Sequence, residues 1–84
     1  MVHLRDQTEF PLELFIELEQ KDYLVGRLIV HQMNRGFWIE VDIVLKESKK
    51  IWAHCGALHG ILDLDEATYQ GVQKMSEYIS SKNL

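Results

Sequence analysis

Residues 37–46 read Phe37-Trp38-Ile39-Glu40-Val41-Asp42-Ile43-Val44-Leu45-Lys46. Phe37, Ile39, Val41, Ile43 and Leu45 share one parity; Trp38, Glu40, Asp42, Val44 and Lys46 share the other. A period of two sends successive side chains to opposite faces of an extended chain. The segment is predicted as a strand with one wholly apolar face, and the segments around it are read in that frame.

Upstream, Met33-Asn34-Arg35-Gly36 reads as a tight turn, with Asn34 and Gly36 suited to positive φ. Tyr23 to Gln32, before it, is rich in β-branched and aromatic residues and forms another strand. Leu24, Gly26, Leu28 and Val30 alternate there with Val25, Arg27, Ile29 and His31, and Gly26 marks a bulge or a close approach. Glu19-Gln20-Lys21-Asp22 is a polar turn. In residues 10–18, Phe10, Leu12, Leu14, Ile16 and Leu18 alternate with Pro11, Glu13, Phe15 and Glu17. A helix starting at Pro11 is the rival reading. It would gather Leu12, Phe15 and Ile16 but leave Leu14 and Leu18 off the face, so a strand is preferred, with Pro11 at its start or on an edge. Residues 1–9 form a loose polar arm.

Downstream, Glu47-Ser48-Lys49-Lys50 is a third turn, and Ile51 to about Ala57 a fourth strand weakened by Gly56. Leu58 to Leu62 is expected as a connection. Asp63 followed by Glu66 resembles a capping box, and the acidic first turn suits the positive end of a helix dipole. Leu64, Thr68, Val72, Met75 and Ile79 then recur at helical spacing, with Ala67, Gly71 and Tyr78 beside them, as far as Ser80–Lys82.

Short turns between successive strands make neighbours antiparallel, and the helix has only the sheet to pack on. The expected architecture is therefore α+β. A single domain over residues 1–84 holds a four-stranded antiparallel meander (10–57) and one C-terminal helix (63–82) across one face. A chain this short buries only about 60–65% of its unfolded surface, so a partner would help it. The single cysteine, Cys55, excludes an internal disulfide. Met1–Asp6 has no apolar signal-like run, and no stretch approaches the ~20 apolar residues of a membrane helix. A cytoplasmic location is expected.

The net charge is −4. Residues 1–42 carry eight acidic and four basic side chains, residues 43–84 five of each. Acidity is densest at Glu9, Glu13, Glu17, Glu19 and Asp22. No basic patch offers phosphate neutralisation, so direct nucleic-acid binding is disfavoured. Glu9, Glu13, Glu17 and Glu19 share one strand face, on which neighbours two residues apart stand ~6.6–6.8 Å apart, near the spacing of successive phosphates; Pro11 and Phe15 interrupt the strip, and mimicry of a nucleic acid is a minor alternative. Trp38 and Trp52 are the right type to stack bases, yet Glu40 and Asp42 give Trp38 the wrong charge for that role.

A single helix leaves one sheet face with Phe15, Val25, Ile29, Trp38, Val44 and, by register, Trp52. A contiguous apolar patch of that kind marks an interaction site. Together with Glu13, Glu17, Glu40 and Asp42 it forms the expected binding surface, for a second copy in a homodimer or for a different protein. His54, Cys55 and His59 carry metal-binding chemistry, but adjacent His54 and Cys55 point to opposite faces of a strand. His31 or Asp63 would have to complete the set. A Cys55–histidine nucleophile lacks an oxyanion hole by motif. Paired Glu40 and Asp42 need a cleft to act as acid and base. The expected function is a small, non-enzymatic, acidic protein-interaction module without a cofactor. Its most concrete form is a stoichiometric inhibitor, immunity factor or adaptor carried by a phage or mobile element. A metal- or ligand-binding domain built on His54, Cys55 and His59 is the alternative.

Overall fold

The computed structural model describes residues 9–19 and 21–83. It contains strands β1 (Leu12–Glu17), β2 (Leu24–Met33), β3 (Gly36–Leu45) and β4 (Ile51–Ile61), followed by helix α1 (Leu64–Ser81). The strands form one antiparallel sheet in the order β1-β2-β3-β4. The α+β meander with one helix is the architecture that the alternation predicts. The loose arm, apart from Glu9, lies outside the described residues. Among the described residues, no helix is long and apolar enough to cross a membrane.

The helix covers the face that carries Leu28, Val30, Ile39 and Val41, all fully buried. Two glycines make the close packing possible. A Cβ on Gly26 would overlap the Met75 sulfur, and one on Gly71 would meet Leu28 Cδ2 at 3.1 Å. Gly26 is therefore a close approach and not a bulge, since the β1–β2 and β2–β3 registers run without a shift. The helix starts as its sequence dictates: Asp63 caps it by accepting from the Glu66 amide at 3.0 Å.

Three local expectations need correction. The fourth strand does not stop at Ala57. It continues to Ile61, because Leu58 and Ile61 pair opposite Ile39 and Phe37 and join the core side. Gly60, with φ 69°, absorbs the irregularity between those two pairs. In the β2–β3 turn, Gly36 takes positive φ (112°) and Asn34 does not. On α1, the buried stripe is Leu64, Ala67, Gly71 and Met75, whereas Val72 remains 37% exposed.

The two edges are protected differently. β1 is six residues long, follows Pro11 and carries Glu13 and Glu17. β4 has no charged residue over eleven positions, but its pairing with β3 shifts register three times. Short charged edges and bulged edges both resist pairing with a further strand.

Candidate interaction surface

The face opposite the helix, here the open face, is organised in rows across the strands. Phe15, Arg27, Asp42 and His54 stand opposite one another on β1 to β4, as do Glu17, Val25, Val44 and Ile51. Glu13, Ile29, Glu40 and Ala57 form another row. The sequence places most of these on one face by parity. It does not reveal that they pair.

Asp42 is the centre of this face and is only 1% exposed. Its carboxylate accepts from His54 Nδ1 at 2.6 Å and from Arg27 Nη2 at 3.3 Å. Because a carboxylate only accepts, His54 Nδ1 is the donor of this contact. Arg27 also reaches Glu13 at 3.7 Å. A buried carboxylate is tolerable only with such partners. Further along, His31 Nε2 meets Glu40 at 2.9 Å. The Trp38 ring lies between two imidazoles, 4.0 Å from His31 and 5.3 Å from His59, both nearly parallel. A cavity of about 610 Å³ at the β2–β3 turn is lined in part by Trp38 and His59.

The expected apolar patch is smaller than parity suggests. Val44 is 0% exposed and Val25 is buried, while Ile29 and Trp38 are half-buried. Phe15, at 46%, and Trp52 are exposed. The Lys49 ammonium lies 5.4 Å from the Phe15 ring centre, so the β3–β4 turn reaches back across the face. Glu13 and Glu17 are exposed and Glu40 half-buried. Asp42, Val25 and Val44 are buried in the isolated chain.

His54, Cys55 and His59 do not converge. His54 and His59 stand on the open face with Asp42 and Trp38, while Cys55 packs against the core on the other side. Among the described residues, no three His, Cys, Asp or Glu side chains gather as a metal-ligand set. Burial pushes the Cys55 thiol up to about 11; the Asp42 charge adds to this and Lys74 opposes it. That is the reverse of what a thiolate nucleophile needs.

A second surface, which the sequence reading passed over, lies on the helix side of β1. Leu12, Leu14, Ile16 and Leu18 are only partly buried there. Between this strand and α1 runs a groove of about 290 Å³, whose apolar lining is Ile16, Leu18, Val72, Met75 and Ile79. The signal was present in the width of the helical stripe: Val72 and Ile79 are apolar yet lie to one side of Ala67, Gly71 and Met75.

The chain matches no protein-family model, no curated protein and no solved structure in these comparisons.

Proposed function

We propose that this protein is a non-enzymatic protein-interaction module that binds its target along the first strand. The observation that carries the reading is the incomplete cover of β1. Its apolar residues Leu12, Leu14, Ile16 and Leu18 are only partly buried against the core, and Ile16 and Leu18 line a groove that α1 does not fill. On the other side of the same strand, Phe15 is exposed between Glu13 and Glu17. Apolar residues rimmed by charge are the usual anatomy of a recognition surface. A small module acting by occupancy alone suits a stoichiometric inhibitor, immunity factor or adaptor.

The partner in this reading is a different protein. A second copy paired along the same strand would bring its own Glu13 and Glu17 against Glu13 and Glu17. Like charges so placed oppose association. The homodimer is therefore the second outcome and not the first.

The test is site-specific photo-crosslinking in the native host, with the photoreactive residue at Leu18 or Val72 and, as a control, at Tyr69. The expected result is one adduct at Leu18 and Val72, absent at Tyr69 and lost in the double variant Glu17→Lys, Glu19→Lys. Adducts of the chain with itself would shift the reading to a homodimer. Equal adducts from all three positions would overturn it.

A further inference from the structure

The cavity of about 610 Å³ at the β2–β3 turn falls within the size range of small-molecule sites, ~300–1,000 Å³. Its walls are the turn and the end of β4, and the backbone holds them together. Gly36, at φ 112°, packs so close to β4 that a Cβ there would overlap the Ile61 carbonyl oxygen. The lining is one-sided in charge. The chain has 13 acidic residues against nine basic ones, yet no carboxylate lines this cavity. Its polar side chains, Gln32, Asn34, Arg35 and His59, all carry N–H donors. Among the described residues, Arg35 has no ion-pair partner. The carboxylates nearest Trp38 in sequence are engaged elsewhere: Glu40 bonds to His31, and Asp42 to Arg27 and His54.

The aromatic part of the lining is equally directional. His31, Trp38 and His59 form a stack with interplanar angles of 9° and 10°. His31 closes one end through Glu40, while His59, at the other end, is exposed and lines the cavity. We infer that this cavity binds a small planar aromatic carboxylate, its ring laid on the His59 end of the stack and its carboxylate on Arg35. Offset stacking suits such a ring, and the planar guanidinium fork matches a carboxylate. One permanent cation balances one negative charge, which favours a carboxylate over a phosphate monoester of about −1.5 to −2. Asn34 and Gln32 add donors beside Arg35. The site uses no residue of β1, so it stands or falls apart from the interaction surface there.

The test titrates naphthoate, at millimolar concentration, into the isotope-labelled full chain and maps amide and indole N–H shifts. Naphthamide, decahydronaphthoate and naphthyl phosphate, substituted at the same ring position, are the comparison ligands. The expected result is saturable naphthoate binding with shifts at Asn34, Arg35, Trp38 and Gly60. Naphthamide, which lacks the charge, should bind about tenfold more weakly, and Arg35→Gln should weaken naphthoate by a similar factor. Decahydronaphthoate, which keeps the charge but not the flat ring, and the variant His59→Ala should each lose about threefold to tenfold. Lys49→Gln, in the β3–β4 turn, should change nothing. Arg35 and His59 are both exposed, so their variants should keep the amide pattern of the core. Equal binding of naphthoate and naphthamide overturns the inference, as does binding that survives Arg35→Gln or shifts confined to the β3–β4 turn. A preference for naphthyl phosphate overturns the choice of carboxylate, and a preference for decahydronaphthoate the stacked ring. No saturable binding of naphthoate overturns the whole.

Discussion

Leu28 and Ile16 face the same side of the same sheet on neighbouring strands. Leu28 is 0% exposed, under Gly71 of the helix, while Ile16 is only half-buried at the margin of a groove. The alternation that assigns them to this face is equally clean in both strands. The difference lies in what stands above them. Asp42 and Glu13 make the same point on the open face. Both belong to the Arg27 network, yet Asp42 is enclosed between Arg27 and His54 and Glu13 is exposed. Patterning decides the face, and cover decides how much each residue contributes to stability.

Four substitutions put this contrast at risk. Asp42→Ala should have the largest effect. It removes the acceptor of a part-buried Arg27 and should cost about 3–5 kcal/mol in urea unfolding, whereas Glu13→Ala should cost under about 1 kcal/mol. Equal losses would mean that the network is not centred on Asp42. Next, Leu28→Ala should cost about 2–5 kcal/mol by transfer and cavity formation, and Ile16→Ala roughly half as much, because less area leaves water. Similar losses at the two sites would show that β1 is covered in solution.

Gly26→Ala should cost about 1–3 kcal/mol, since the added methyl displaces Met75. A shorter residue at position 75 should relieve part of that cost in the double variant. The smallest effect concerns pH. The folded Cys55 thiol titrates near about 11 against an ordinary value of 9.0. Its contribution to stability is complete below pH 9 and is lost as the pH rises through 11. Cys55→Ala should flatten the decline of stability within that window, read by urea midpoints at several pH values. An unchanged slope would show that the thiol is not held neutral by the fold.

Much of this fold was legible because β3 alternates over ten residues and short turns allow few topologies. The N-cap at Asp63 and the strand nature of residues 12–17 both followed from local chemistry. The end of β4 did not. Gly56 and Gly60 read as breakers, but in the sheet they serve as points where a strand can shift register and continue. Val25 and Val44 were assigned to the correct face, yet cover from neighbouring side chains is a property of the assembled sheet. The Arg27–Asp42–His54 row needs the register of three pairings, which no single segment specifies. The groove beside β1 was missed for a related reason. Helical periodicity marks an apolar stripe but does not say over which strands it settles.

The most direct test is solvent paramagnetic relaxation of the methyl groups in the dilute, isolated chain. The account predicts strong relaxation at Leu12, Leu14, Ile16 and Leu18 and at Val72. It predicts almost none at Leu28, Val30, Ile39 and Val41. Equal protection of both sets, unchanged on dilution, would contradict it, because the first strand would then be covered and the groove would not exist.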